Sequence, residues 1–264
     1  MQFADGKILA EIKNGVGTVT FNQPEKRNAM SISMWDGMGA AMDAFAADTS
    51  VRCVVLTGAG GKAFVSGADI SQFEKNRSDA EAQKEYGRMT LGGREKLANY
   101  PKPVIAKIQG FCMGGGLGIA MSCDIRIAGE GSEFGIPAAR LGIAYGYDMV
   151  KNLVSLVGPS NAHMILMSGG RFTAEQALRM GLINQLVPAA ELDATVDALT
   201  AQLAINAPLS LVANKRTVRA VLADAAERDI AAIEAAMNAC FDSADYAEGR
   251  RAFMEKRKPA FTGR

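Results

Sequence analysis

Histidine is almost missing from this 264-residue chain: His163 stands alone. A zinc site built on two or three imidazoles is therefore excluded within one chain. Any Ser-His or Cys-His nucleophilic mechanism would have to run through that one residue. It lies in Pro159-Ser160-Asn161-Ala162-His163-Met164-Ile165-Leu166-Met167, an apolar stretch of helical character, so a packed helical side chain is expected. The four cysteines, Cys53, Cys112, Cys123 and Cys240, are scattered, with no C-x-x-C pair. Isolated thiols of this kind read as reduced, mostly core residues of a cytoplasmic protein.

An excess of either charge is also missing. Lys plus Arg is 29 and Asp plus Glu is 28, a net charge of +1. That balance leaves no footprint for nucleic acid or an anionic membrane. No apolar run reaches the roughly 18 residues of a membrane span. The start, Met1-Gln2-Phe3-Ala4-Asp5-Gly6-Lys7, has no basic stretch leading into an apolar one, so no signal peptide is expected. Neither a P-loop nor a G-x-S-x-G string occurs. Gly58-Ala59-Gly60-Gly61-Lys62-Ala63 has the G-x-G-x-x-A spacing of a dinucleotide fold. However, no acidic residue closes a second strand about 20 positions on, and the following text is extended rather than helical.

What is present fits a globular chain, with 48% hydrophobic and 22% charged residues. Two β-rich runs, 8–13 and 16–21, meet at Asn14-Gly15 and predict a hairpin. Ser31 is placed to cap a helix from Ile32 to about Ala47, with Trp35, Met38, Met42 and Phe45 at helical spacing. Short apolar strands are expected at 52–57, 104–108 and 124–128. A glycine-dense loop spans 58–69, and a charged helix is expected across 78–99. Strand, glycine loop and helix recur, which argues α/β. From about Leu192 the text turns Ala-rich and helical, with breaks near Pro208 and Ser243. The expected division is a core over 1–195 and a helical region over 196–264.

The glycine loops suggest a chemistry of their own. A backbone N–H at a helix start has no intrahelical acceptor and sits at the positive end of the helix dipole. Two such donors aimed at one oxygen make an oxyanion hole.

Lys62-Ala63-Phe64-Val65-Ser66-Gly67-Ala68-Asp69-Ile70 resembles the first signature of the enoyl-CoA hydratase/isomerase (crotonase) superfamily. The second signature is similar too, from Pro103 through Gly114-Gly115-Gly116, as are Ser122-Cys123-Asp124-Ile125-Arg126-Ile127-Ala128, Phe134-Gly135 and Leu141-Gly142. Asn22 to Met30 and the tail from Glu248 to Pro259 match in family order. The resemblance implies a spiral of ββα turns in two packed sheets, with a C-terminal all-helical region that assembles a homotrimer or a dimer of trimers. It implies an acyl-CoA thioester as substrate, with coenzyme A entering only as part of it. No separate cofactor, metal, nucleic acid or membrane is expected. By motif position the oxyanion donors would be Ala68 and Gly115. Asn28, Ala29, Ala63, Ser66, Asp69 and Ile70 would line the coenzyme A moiety by main chain and shape. Phe253 and Lys256 would contact it from a neighbouring subunit.

The sequence departs from the family where its hydratases carry two glutamates. One of those positions is Gly118 here, and the other, after Phe134-Gly135-Ile136-Pro137, is Ala138. Neither can move a proton, so efficient hydration is not expected. Tyr145, after Leu141-Gly142-Ile143-Ala144, resembles a tyrosine of a family member that decarboxylates methylmalonyl-CoA. Three readings stay open: an enolate-forming lyase or isomerase, with a 2-carboxyacyl-CoA decarboxylase as its sharpest form; a non-catalytic acyl-CoA-binding protein; and an RNA-binding branch, which the charge balance disfavours. Asp148 reads as a first-turn helix acid. Arg140 reads as a partner for a substrate carboxylate or as a surface residue. Tyr86 and Arg88 belong to a stretch that lines the acyl pocket in the family.

Overall fold

The computed structural model describes residues 1–69 and 79–264. Among these residues the strands form two sheets. The larger runs β1(Gln2–Phe3), β2(Ile8–Lys13), β3(Val16–Phe21), β4(Cys53–Gly58), β6(Val104–Ile108), β8(Ile125–Gly129), β11(Gln185–Val187). The smaller runs β10(Phe172–Thr173), β9(Glu133–Gly135), β7(Phe111–Met113), β5(Ala63–Val65). The expected hairpin joins β2 to β3, with Lys13 opposite Val16. Asn14 and Gly15 both take positive φ, 51° and 78°, as the tight turn demands.

The helices of the core are α1(Ile32–Ala47), α2(Ala80–Ala98), α3(Gly115–Ser122), α4(Tyr147–Ser168) and α5(Ala174–Arg179). The chain repeatedly lays one strand in the large sheet and the next in the small one. Thus β4 is followed by β5, β6 by β7 and then α3, and β8 by β9 and then α4. This is the ββα rhythm the resemblance implies; the sequence pattern by itself marks no separate strand at β5, β7 or β9. They are three residues long, too short to show an alternating pattern.

Both faces of the large sheet are covered, which is why its central strands are almost wholly apolar. Val54, Leu56, Val104, Ala106 and Ile108 point into the main core with Phe21, Phe45 and Phe64. Their neighbours Cys53, Val55, Ile105 and Ile127 point the other way, onto α6(Leu192–Ala204) through Leu192 and Val196. The expected change of text near residue 195 falls within this helix. Beyond it come α7(Pro208–Leu222), α8(Ile230–Phe241) and α9(Ala244–Met254). The breaks at Pro208 and Ser243 are present, and residues 223–229 add a third.

Two local expectations differ from the structure. Ser31 takes the cap conformation, but its hydroxyl lies 3.0 Å from Ser33 Oγ and makes no bond to a helix N–H. The neighbouring hydroxyl competes for it. His163 is helical but exposed, because the buried face of α4 here is carried by Ala162 and Ile165. The thiols are free, with Cys53, Cys112 and Cys123 buried. No single helix among the described residues is long and apolar enough to cross a membrane.

Candidate active site

β5 and β7 are parallel neighbours, with Ala63 opposite Phe111 and Val65 opposite Cys112. The chain therefore leaves both strands at the same end of the small sheet. After β5 come Ser66-Gly67-Ala68-Asp69; after β7 come Gly114 and the first turn of α3. Gly67 has φ 120° and Gly114 φ 52°, conformations that a side chain would strain.

Residues 27–30 run alongside the first loop. Ser66 N donates to Arg27 O at 3.1 Å, Met30 N to Gly67 O at 2.8 Å, and Asp69 N to Met30 O at 2.9 Å. These bonds engage the groups flanking Ala68 and leave its own N–H on the side away from Met30. Gly115 begins there: a Cβ on it would lie 3.9 Å from Ala68 N. As the first residue of α3, Gly115 has no intrahelical acceptor. Neither amide donates to an acceptor among the described residues. The structure thus brings Ala68 and Gly115 together as two adjacent donors at a helix N-terminus, able to hold one developing oxyanion.

The surroundings make this pair rigid. Asn28 is fully buried; its Oδ1 accepts from Gln23 N at 3.0 Å, and its Nδ2 donates to Ala59 O and Ala63 O at 3.0 and 2.8 Å. Its side chain is consumed in shaping the loop, so any contact with a ligand falls to its backbone. Asp69 is buried and paired with Lys26 Nζ at 2.9 Å. At the far end of α3, the buried Arg126 donates to Ala120 O, Cys123 O and Leu182 O. A guanidinium on the last carbonyls of a helix satisfies orphan acceptors and opposes the dipole. Gly116 admits no side chain, because its Cβ would stand 2.1 Å from Val65 O.

The opposite wall comes from the start of α4. Tyr145 Oη lies 3.4 Å from where a Cβ on Gly114 would be. Four residues further along each chain segment, Met149 Cε lies 2.8 Å from where a Cβ on Gly118 would be. Tyr145 and Met149 therefore face Gly114 and Gly118 as two matched rungs. Along 114–121 of this glycine-rich segment only Gly115 and Gly118 stay partly accessible, so one face of α3 opens onto the site. Ala138 is buried in the 3₁₀ turn Pro137–Leu141. All three residues expected to be catalytic, Ala68, Gly115 and Tyr145, thus meet in one place.

Ionisable groups here are few among the described residues. Asp148 is an exposed first-turn acid of α4. Glu133 is paired with Arg171 at 3.3 Å. Burial pushes the Cys112 thiol well up and Cys123 up to about 12, so neither is a thiolate nucleophile. Arg88 is paired with Glu85 on α2, which also carries Tyr86. Arg140 is exposed and lies against Gly169.

The remaining expected ligand residues divide. Ala29 is buried in the segment beside the donor loop, Ala63 is buried at the start of β5, and Ser66 is partly exposed where the chain leaves that strand. Ile70 lies outside the described residues. Phe253 is 83% exposed on α9 and Lys256 follows that helix with φ 54°. Phe253 lines a groove of about 460 Å³ with Leu209, Phe241, Tyr246 and Phe261. That groove contains none of the residues of the two donor loops. Met149 and Arg126 were missed as site residues. Gly118 was the available signal, since a glycine inside a helix needs a packing reason.

Comparison with known proteins agrees with this architecture. Residues 11–264 match the family model described as enoyl-CoA hydratase/isomerase. A short-chain-enoyl-CoA hydratase from Clostridium acetobutylicum is 35% identical over 251 residues, 95% of each chain. A crotonyl-CoA hydratase from Syntrophomonas wolfei is 33% identical, covering 96% of this chain and 97% of the relative. The solved structure of an enoyl-CoA hydratase/carnithine racemase from Magnetospirillum magneticum superposes with a TM-score of 0.92 at 34% identity, covering 99% and 97%. A family match across this span, on a fold that superposes over nearly the whole chain, leaves one conclusion: the chain belongs to the enoyl-CoA hydratase/isomerase family.

Proposed function

We propose that this protein acts on an acyl-CoA thioester by forming an enolate held at Ala68 N and Gly115 N, and that it is a poor hydratase. The adjacency of those two amides carries the reading. The thioester carbonyl oxygen accepts both N–H groups, and negative charge developing on it is stabilised by ~3–4 kcal/mol per donor. The anionic end of the substrate would meet Arg27 and Arg171, which stack on Phe111 at 5.1 and 5.4 Å, beside Lys62.

Hydration needs a group to activate water and another to protonate carbon. Position 118 is a glycine covered by a methionine methyl, and position 138 is an alanine. Relatives named as hydratases share about a third of the sequence, and these two positions are where this chain is proposed to part from them.

Decarboxylation of a 2-carboxyacyl-CoA is the sharper form of the proposal, favoured by the Tyr145 hydroxyl at the donor loop. The bond between C2 and the carboxylate breaks and carbon dioxide leaves. The electron pair moves onto the thioester oxygen, and a solvent proton then returns to C2. No general base is needed; Tyr145 orients the departing carboxylate by hydrogen bonding.

The reading extends to assembly. In one chain Phe253 and Lys256 are not with the donor loops, so they would serve the site of a neighbouring copy in a trimer or a dimer of trimers. A mass-spectrometric time course with enoyl-CoA and 2-carboxyacyl-CoA esters in isotopically labelled water tests the chemistry. Carbon dioxide loss with label at C2 supports it, and Tyr145→Phe should then slow turnover at least tenfold. Rapid addition of labelled water to the enoyl esters overturns it. Tight binding without turnover of either class would mean a non-catalytic binding protein.

A further inference from the structure

The Met149–Gly118 contact goes beyond the oxyanion chemistry. Gly118 is one turn from the donor Gly115, on the accessible face of α3. A side chain at 118 would project toward the site, but its first carbon would stand 2.8 Å from Met149 Cε and 3.6 Å from Sδ. The Met149 methyl therefore fills that space. Met149 is itself only partly buried, packed on the edge of the main core with Ile143 and Tyr145. It is held on one side by core and meets Gly118 with its methyl, on the helix that carries the donor Gly115. The wall facing α3 thus has two rungs of different chemistry, a hydroxyl over Gly114 and an apolar methyl over Gly118.

We propose that Met149 is a specificity-determining residue that sets the acyl length accepted here and restricts the site to short acyl chains. This rests on the acyl-CoA reading above. With the thioester oxygen at Ala68 and Gly115, an acyl chain growing along the accessible face of α3 passes Gly118 and meets the methionine methyl. Truncating Met149 to alanine removes three heavy atoms and opens room for two to three more carbons. One methylene more or less in an apolar pocket changes discrimination about tenfold or more. Gly118→Ala acts on the same space in the opposite sense, because it forces the methionine toward the substrate.

The test is affinity, measured calorimetrically with acyl-CoA analogues in which an uncleavable ketone thioether replaces the thioester, from acetyl through butyryl and hexanoyl to octanoyl. The native protein is expected to bind butyryl above octanoyl. Met149→Ala is expected to shift the octanoyl-to-butyryl affinity ratio at least tenfold toward octanoyl. Gly118→Ala should weaken butyryl binding, and Gly118→Ala/Met149→Ala should restore it, because the two side chains compete for one volume. Circular dichroism melting establishes that each variant is folded. An unchanged length profile in folded Met149→Ala overturns this inference and leaves the enolate reading standing. No binding of any analogue by the native protein overturns that reading, and this one with it.

Discussion

Helix α3 buries Gly116, Leu117, Ile119, Ala120 and Met121 in eight residues, whereas α7 and α8 bury no apolar residue. Yet α7 and α8 are not polar helices. Val218, Val221, Leu222, Ile230, Met237 and Phe241 are each more than half exposed. The two regions use apolar side chains differently. In the core they fix one backbone geometry so tightly that a single methyl would not fit beside Val65. In the tail they stay exposed on two neighbouring helices, the kind of apolar surface that a partner would cover. The site needs rigidity for its two amides, and the proposed assembly needs an uncovered face.

The largest effect should come from breaking the core at its most exact point. Gly115→Pro deletes one donor where proline is tolerated, at the first helical position. Turnover should fall about 10²- to 10³-fold, roughly 3–4 kcal/mol, with the fold kept. Steady-state kinetics beside circular dichroism will check this, and retained turnover would remove Gly115 from the donor pair.

Lys215 sharpens the comparison, because it ties α7 to the core. Its side chain is 7% exposed, with Nζ 2.6 Å from Asp124 Oδ2 and 2.7 Å from Lys102 O. Burial pulls it down to about 8 from an ordinary value of 10.5. Between those values the unfolded chain binds the extra proton, so stability rises with pH through that window and the gain is lost as pH falls through 8. Native stability relative to Lys215→Met should therefore improve by up to about 3 kcal/mol from pH 7 to 10.5. Urea melts across that range measure it; a flat difference would mean the ammonium is not desolvated.

Gly116→Ala should cost about 1–3 kcal/mol, since the new carbon meets Val65 O at 2.1 Å and α3 must shift away from β5. A reduced denaturation midpoint is the expected readout. The smallest effect on the fold should come from the tail. Val221→Ser should change the stability of a single chain by less than about 0.5 kcal/mol. Sedimentation velocity should nevertheless show a smaller assembly. An unchanged assembly would mean this face is not what joins the copies.

Much of the architecture was legible from local chemistry. Asn14-Gly15 has to turn with positive φ, and the α1 pattern of Trp35, Met38, Met42 and Phe45 is a buried stripe. The short strands of the small sheet were not legible, because three residues carry no period. His163 was misjudged for a related reason: an apolar window does not say which side of a helix faces the core. Asn28 adds a detail that the sequence does not carry: its amide is spent on Gln23, Ala59 and Ala63, so it shapes the loop.

The sequence alone pointed to Ala68 and Gly115 as the proposed donors, through the resemblance of their two motifs, and each follows a glycine, Gly67 or Gly114, whose positive φ suits no other residue. It also determined that residues 118 and 138 carry no proton-transfer group. Only the tertiary structure decided that the two amides converge, because that depends on β5 and β7 pairing in parallel across 45 intervening residues. It alone placed Tyr145 over Gly114 and Met149 over Gly118. Backbone conformation is a local preference that a few residues can encode. The shape of a pocket is the space left between elements far apart in the chain, and it exists only once they pack.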